Sequence, residues 1–298
     1  MMEQLELLQL PAMGTLYQGD ALEILRRLPS SSVHTCVTSP PYWGLRDYGV
    51  EGQIGLEETP EEYVEKLVAI FREVRRVLRD DGTLWLNLGD SYASKPCGGI
   101  GHNAKVRNTK KAIQKSAGIP AGLKPKDLVG IPWRVALALQ ADGWYLRSDI
   151  IWHKPNAMPE SVKDRPTKAH EYIFLLSKSP RYYYDGEEIQ EPLTEATIER
   201  SKYPRFQNPK NRLANKIGVA KNVNYGSPKT EESAIKRMLQ RGKRNKRTVW
   251  TVATRPFKGA HFAVFPPDLI EPCILAGSPP GGIVLDPFFG SGTTGVVA

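Results

Sequence analysis

Apolar and polar residues alternate along this 298-residue chain in blocks that predict strands and helices in turn. Short apolar runs between turn residues predict strands, and apolar residues spaced three and four apart predict helices. The predicted strands are residues 14–20, 33–37, 83–88, 144–153, 171–177 and 282–286, and three predicted helices are residues 21–28, 131–141 and 266–276. This alternation indicates a mostly parallel sheet covered on both faces, with 144–153 and 171–177 as an antiparallel pair.

A further predicted helix carries signals at both of its ends. Thr59 is suited to the N-cap, Pro60 to the first helical position, and Glu62 completes a capping box. Apolar residues then recur on one helical face. Asp80-Asp81-Gly82 is expected to end this helix before the next strand begins.

The predicted strand at residues 33–37 ends at Thr38-Ser39-Pro40-Pro41-Tyr42-Trp43. Two consecutive prolines end a strand because neither donates a backbone hydrogen bond and each fixes φ. A small hydroxyl precedes this turn and two aromatic side chains follow it. Such a rigid strand end is suited to holding a planar ring that carries an amine.

A second motif, residues 284–295, combines a strand, a glycine turn and a helix start. Glycine lets a ligand approach the backbone closely, and a helix N-terminus favours negative charge. No lysine follows Gly292, which disfavours a P-loop. The spacing of Gly290, Gly292 and Gly295 fits a dinucleotide-binding motif, although tight packing of strand on helix explains it equally well.

Composition excludes several classes of protein. No apolar run is long enough to span a membrane and the N-terminus lacks a basic region before an apolar one, so a cytoplasmic protein is expected. Cys36, Cys97 and Cys273 lie far apart and the five histidines form no cluster, so neither a disulfide framework nor a metal site is expected. Core positions are expected for Cys36, Cys273, Trp85, Trp133 and Trp144.

The net charge of +9 is unevenly distributed. Residues 194–250 hold 15 Lys/Arg and 4 Asp/Glu, and residues 91–126 hold 8 Lys/Arg and no acidic residue. Basic segments are often solvated loops, but these also contain Asn, Gln and aromatic residues, a mixture typical of phosphate and base contacts.

Together the two motifs resemble those of the amino-methylating DNA methyltransferases, which use S-adenosyl-L-methionine. Residues 38–43 are similar to their catalytic motif, and residues 286–294 to their cofactor loop. The order of catalytic motif, basic insert and cofactor loop is similar to that of the β group. The resemblance implies a Rossmann-like α/β fold with a mostly parallel sheet, one antiparallel strand, helices on both faces and a basic target-recognition insert.

The resemblance also implies roles for individual residues. Ser39, Pro40, Pro41 and Tyr42 would be catalytic: the Ser39 hydroxyl and the Pro40 carbonyl accept hydrogen bonds from the amine, and Tyr42 stacks on the base. Asn156 is similar to a residue in a loop near the flipped base. The implied cofactor-binding residues are Asp20, Phe262, Asp286, Phe289, Gly290, Gly292 and Thr293.

The implied activity is methylation of a flipped base in double-stranded DNA. Ser39 favours the N4 amine of cytosine, with the N6 amine of adenine as an alternative. A chain that binds DNA without catalysis is a further alternative. With either methylation activity, a companion restriction endonuclease is an expected partner. The expected location is the cytoplasm of a bacterial or phage-infected cell.

The implied domain organisation follows the two motifs. Residues 1–190, including the basic loop 91–126, would form the catalytic half, residues 191–250 the target-recognition insert, and residues 251–298 the start of the cofactor half. The family continues beyond the cofactor loop through a full helix and another strand, so these 298 residues alone are expected to bind cofactor weakly. The expected DNA contacts are Arg205, Lys210, Arg212, Arg241, Lys243 and Arg244.

Overall fold

A computed structural model describes residues 8–9, 14–45, 49–50, 52–93, 119, 122–201, 239–256 and 264–298. These residues belong to two compact units. The larger unit is Met1–Asp185 with Thr248–Ala298, and the smaller is Gly186–Arg247. No helix in the described ranges is long and apolar enough to cross a membrane.

The elements follow one another along the chain as strands and helices. They are β1 (Leu8–Gln9), β2 (Thr15–Leu16), α1 (Ala21–Arg27), β3 (Val33–Thr38), α2 (Pro60–Val77), β4 (Leu78–Leu88), α3 (Ile131–Ala141), β5 (Tyr145–His153), β6 (His170–Ser177), β7 (Glu191–Pro192), α4 (Glu195–Ser201), β8 (Lys243–Arg244), β9 (Val249–Thr251), α5 (Pro267–Gly277), β10 (Val284–Leu285) and α6 (Thr293–Val297).

A six-stranded sheet with the order β10-β3-β4-β6-β5-β9 forms the centre of the larger unit. The pairs β10–β3, β3–β4 and β5–β9 are parallel, whereas β6 runs antiparallel to β4 and β5. The predicted mostly parallel sheet with one antiparallel strand is therefore confirmed. So is the predicted pairing of residues 144–153 with 171–177, since His153 lies opposite His170.

Helices bury both faces of this sheet. On one face α2 and α3 pack over β3, β4 and β6 in a core that includes Phe71, Leu86 and Phe174, each fully buried. On the other face α5 approaches so closely that a Cβ on Gly277 would lie 2.6 Å from Trp85 Nε1. Such a contact leaves room only for glycine, so the end of α5 is fixed against β4.

The predicted start of the long helix is confirmed. Thr59 is the N-cap of α2, and its hydroxyl accepts a hydrogen bond from the Glu62 N–H at 3.2 Å. The predicted end is wrong, because α2 stops at Val77 and residues 80–82 lie inside β4. Leu78 already pairs with Val33 of β3, so sheet pairing outweighs the turn preference of Asp-Asp-Gly.

Two further predictions are corrected by the structure. Of residues 14–20 only Thr15–Leu16 is a strand, and it pairs with Leu8–Gln9 rather than with the six-stranded sheet. Trp133 is 37% exposed, although one side of its ring meets the buried Phe174 edge-on at 5.2 Å. Buried positions are confirmed for Cys36, Cys273, Trp85 and Trp144.

Candidate active site

Two short segments leave the sheet at the same edge. Residues 39–42, the proline turn, directly follow β3, and residues 286–292, the glycine loop, directly follow β10. Because β3 and β10 are neighbouring parallel strands, their carboxyl ends lie side by side. This edge is where open α/β sheets bind their ligands.

Tyr42 is the most firmly held side chain of the proline turn. Its hydroxyl donates to Glu171 Oε2 at 2.8 Å, and the Asn87 Oδ1 acceptor lies at 3.1 Å. The Ser39 hydroxyl donates to the Tyr42 oxygen at 3.4 Å. The ring lies against Gly89, where a Cβ would come within 2.5 Å of it. Burial and the nearby Glu171 carboxylate raise the pKa of Tyr42 well above its usual range, so the hydroxyl stays protonated.

Glu171 itself is paired on its other side. Its Oε1 forms an ion pair with the Lys154 ammonium, which also lies 4.1 Å from the centre of the Trp152 ring. The Asn87 amide donates to Glu171 Oε2 at 3.3 Å and to the Tyr172 carbonyl at 3.0 Å. Carboxylate, ammonium, amide and phenol thus form one connected polar network behind the proline turn.

Sequence reasoning missed this network, although the chain carries a signal for it. Asn87 is a polar residue inside an apolar run, residues 84–88, and Glu171 opens a second apolar run. A buried polar group needs a partner, so two such residues in neighbouring strands point to each other.

The rest of the proline turn is fixed by the chain that follows it. The Tyr63 hydroxyl of α2 donates to the Pro41 carbonyl at 2.8 Å. Trp43 Nε1 donates to the Glu57 carbonyl at 3.0 Å. Pro40 is buried. These contacts hold the turn rigid and leave Ser39 and Tyr42 partly exposed.

Asp286 anchors the glycine loop. Its Oδ1 accepts from the Thr38 hydroxyl at 2.5 Å and from the Phe288 N–H at 3.0 Å, and its Oδ2 accepts from the Thr294 hydroxyl at 2.6 Å. Burial raises the pKa of Asp286, and these hydrogen bonds offset that effect only in part. The side chain joins the end of β3 to the start of α6.

The other residues predicted to bind cofactor in this loop lie close together. Gly290 is exposed with φ +52°, and Gly292 precedes α6 with φ +82°. The Phe289 ring covers Gly292 and Gly295, where an added Cβ would be 3.2 and 2.8 Å from it. The Thr293 hydroxyl lies 3.1 Å from that of Ser291. Gly290 therefore leaves exposed backbone at this edge, which a ligand can approach closely.

Three further predicted residues belong to other parts of the chain. Asp20 is exposed and caps α1, where its Oδ1 accepts from the Glu23 N–H at 3.0 Å. Asn156 pairs with Thr254, accepting from its N–H at 2.9 Å and donating to its carbonyl at 2.9 Å. Phe262 lies outside the described residues.

The expected DNA-binding residues fall into two groups. Arg205, Lys210 and Arg212 lie outside the described residues, as does most of the basic loop 91–126. The other three, Arg241, Lys243 and Arg244, lie in the smaller unit.

These three residues differ in their surroundings. Arg244 has a side chain only 15% exposed, which pairs with Glu191 at 3.4 Å and donates to Thr197 at 3.0 Å. It therefore holds β7 and β8 together. Arg241 pairs with Glu187 at 2.9 Å on the surface, and Lys243 is exposed.

A proline turn with a hydroxyl and an aromatic side chain, beside a glycine loop at the carboxyl edge of a mostly parallel sheet, defines the class of protein. It is a methyltransferase of the Rossmann-like fold that uses S-adenosyl-L-methionine. A family model described as DNA methylase, covering N6 and N4 enzymes, matches residues 33–298. The chain belongs to this family and is a DNA methyltransferase.

Individual relatives agree with this assignment. The chain is 53% identical over 285 residues to the type II methyltransferase M.Cfr9I of Citrobacter freundii, which covers 95% of this chain and 79% of the relative. It is 51% identical over 279 residues to M.SmaI of Serratia marcescens, covering 94% and 80%.

Solved structures share the fold. The PvuII DNA methyltransferase, described as cytosine-N4-specific, matches 95% of this chain and 77% of its own with a TM-score of 0.56 and 20% identity. A protein of Thermus thermophilus, solved in complex with S-adenosyl-L-methionine, matches 94% of this chain and 81% of its own with a TM-score of 0.50 and 22% identity.

Proposed function

We propose that this enzyme methylates the exocyclic N4 amine of cytosine in double-stranded DNA, on a base turned out of the helix, by direct in-line transfer from S-adenosyl-L-methionine. The observation that carries the proposal is Ser39 at the first position of the proline turn, with its hydroxyl 3.4 Å from the anchored hydroxyl of Tyr42. The likeness in fold to a cytosine-N4-specific enzyme supports the same choice of base.

The proposed chemistry explains why a turn of this kind is needed. The lone pair of an exocyclic amine is conjugated into the ring, so the nitrogen is a poor nucleophile. Hydrogen-bond acceptors placed around its N–H groups draw the nitrogen toward a tetrahedral geometry and aim its lone pair. The oxygen of Ser39 and the carbonyl of Pro40 are the proposed acceptors. They contribute to catalysis by orienting the amine and by stabilising the transition state electrostatically. When bound, S-adenosyl-L-methionine supplies the electrophilic methyl group.

Tyr42 is proposed to hold the ring of the base. Its own ring is fixed from two sides, by Gly89 against one part and by Glu171 at the hydroxyl. A fixed aromatic face stacks on a flat base with little loss of side-chain entropy. The amine of a paired base is engaged in the helix, so the base must leave the stack to reach this site.

We further propose that residues 191–250 recognise the target sequence. The charge of the 194–250 segment, 15 Lys/Arg against 4 Asp/Glu, supports contact with phosphates. Lys243 and Arg241 are candidates for such contacts, whereas Arg244 contributes through the fold of β7 and β8. The likeness to type II methyltransferases of bacteria supports a bacterial cytoplasm and a companion endonuclease as the setting.

The test is to identify the methylated nucleoside. The purified chain is incubated with double-stranded DNA and S-adenosyl-L-methionine, and the digested DNA is analysed by nucleoside mass spectrometry. N4-methylcytosine is the expected product. N6-methyladenine would overturn the proposed base, and no product at all would overturn catalysis by this chain.

A Tyr42→Ala variant, purified in the same way, is the control for contaminating host enzymes. It removes the stacking ring, so we expect it to lose most of the product while its calorimetric affinity for S-adenosyl-L-methionine changes little. Equal product from the variant would mean that the product comes from elsewhere or that Tyr42 does not hold the base.

A further inference from the structure

Two of the groups around the Tyr42 hydroxyl, Glu171 Oε2 and Asn87 Oδ1, accept its proton. Glu171 Oε2, at 2.8 Å, is a carboxylate oxygen and has no proton to donate. The Asn87 side chain uses its amide N–H groups on Glu171 and on the Tyr172 carbonyl, so its oxygen faces Tyr42 at 3.1 Å. Tyr42 therefore acts as a donor toward its own network.

This direction has a consequence for Ser39. Since the single proton of Tyr42 is committed to the network, the Tyr42 oxygen can only accept from the Ser39 hydroxyl at 3.4 Å. The Ser39 proton then points toward the Tyr42 oxygen. Both lone pairs of the Ser39 oxygen are left for a ligand, so Ser39 can accept from an amine N–H but does not compete with it as a donor.

We propose that Glu171 is a positioning residue, which acts through Tyr42 to fix Ser39 as a hydrogen-bond acceptor for the amine of the substrate base. The proposal rests on the proposed function in that it needs an exocyclic amine as the group methylated, but it holds for cytosine or adenine. Lys154 has a defined part in it. Its ion pair with Oε1 occupies that oxygen and leaves Oε2 to Tyr42 and Asn87.

The variant Glu171→Gln tests this direction. The amide oxygen of the glutamine would stay with the Lys154 ammonium, so the amide N–H₂ would face Tyr42 and Asn87 and reverse the hydrogen bonding. We expect the single-turnover rate of methylation, at saturating DNA and cofactor, to fall about tenfold, the value of one misdirected hydrogen bond to a charged group. The affinity for S-adenosyl-L-methionine and the melting temperature should stay close to those of the unaltered enzyme.

A second variant separates positioning from a general structural role. Tyr42→Phe keeps the ring but removes the hydroxyl that links Glu171 to Ser39. Because Glu171 acts through that hydroxyl, adding Glu171→Gln to Tyr42→Phe should cost no further rate. The matched control is Glu73→Gln, which removes the charge from a similarly half-buried ion pair with Arg76 on α2 and should leave the rate unchanged.

The outcomes divide cleanly. A tenfold loss that vanishes in the Tyr42→Phe background supports the proposal. Losses that multiply in the double variant, an unchanged rate in Glu171→Gln, or a loss that merely follows the melting temperature would each overturn it. If Glu171→Gln does not fold, Tyr42→Phe alone tests the proposal. An unchanged rate in Tyr42→Phe would show that the hydroxyl between Glu171 and Ser39 does not affect methylation, and would overturn the proposal. These rates are read only after the unaltered enzyme has given a methylated amine, so failure of the proposed function is seen first and separately.

Discussion

The proline turn and the glycine loop leave neighbouring strands of one sheet, yet a different kind of carboxylate holds each of them. Glu171 behind the proline turn faces the Lys154 ammonium, so its charge is balanced. The described partners of Asp286 in the glycine loop are two hydroxyls and a backbone N–H, all neutral. Neutral donors solvate a buried charge only in part, and the pKa of Asp286 is accordingly raised.

The difference shows how one edge can serve two ligands. The proline turn, which we propose holds a neutral base, is kept rigid by a balanced network that needs no ligand to complete it. The glycine loop, which we propose lies on the cofactor side, holds Asp286, and the described hydrogen-bond partners of that carboxylate include no counter-charge.

The largest effect on the rate is expected from a substitution that displaces Tyr42 in the proline turn. Gly89→Ala would place a Cβ 2.5 Å from the Tyr42 ring and force the ring to move. A displacement of that kind near reacting groups costs about a hundredfold in rate, so turnover should fall by about that factor. Methylation kinetics measure it, with the melting curve to show that the variant is folded.

The control for this prediction is the background without the ring. In Tyr42→Ala, which is already slow, the added Gly89→Ala should change the rate little because nothing is left to displace. A further large loss in the double variant would show that Gly89 acts by some route other than Tyr42.

A smaller effect is expected at the glycine loop. Asp286→Ala removes the acceptor for Thr38, for Thr294 and for the Phe288 N–H, but the Thr294 hydroxyl can turn to the Val37 carbonyl at 3.4 Å. Two donors lose their partner, so the free energy of unfolding should drop by about 2 kcal/mol. Denaturant unfolding measures the change.

The same variant should bind S-adenosyl-L-methionine more weakly by calorimetry, since the loop loses its anchor. Asp81→Ala is the matched control, because the exposed Asp81 only pairs with Arg79 on the surface. Equal unfolding free energies for the two variants would contradict the anchoring role of Asp286.

The smallest effect concerns the pH dependence of stability and comes from Asp286. A pKa raised in the folded protein means that the folded state binds the proton of Asp286 more readily than the unfolded chain does. The stability from this group is then present at low pH and is lost as pH rises from the ordinary carboxyl pKa of about 4 through the raised value.

Asp286→Asn carries no charge at any pH and supplies the reference. The melting temperature of the unaltered enzyme should fall relative to this variant as pH rises through that window. A difference that stays constant with pH would show that Asp286 does not titrate differently on folding.

Much of the fold was open to prediction from sequence because local signals and packing agree. Thr59 and Pro60 start α2 as their chemistry requires, and the apolar run 83–88 becomes the buried half of β4. The prediction failed where pairing outweighed local preference, as at residues 80–82. It also failed at Trp133, whose ring packs on Phe174 and yet stays 37% exposed.

The candidate site was predictable only in its consecutive parts. Residues 38–43 are consecutive, and so are residues 286–294, so each stretch can be found as a sequence motif. Asn87, Lys154 and Glu171 come from three separate places in the chain, and only the sheet register brings them to Tyr42. The sequence marks Asn87 and Glu171 only as polar residues in or beside apolar runs, and their partners become known only from the tertiary structure.

The hydrogen bond between Asp286 and Thr38 connects the glycine loop directly to the end of β3, where the proline turn begins. Thr38 is the last residue of β3 and directly precedes Ser39. The 2.5 Å hydrogen bond therefore connects the glycine loop to the residue next to the Ser39 hydroxyl. The two segments therefore share one anchor, the Asp286 carboxylate, at the neighbouring carboxyl ends of β3 and β10.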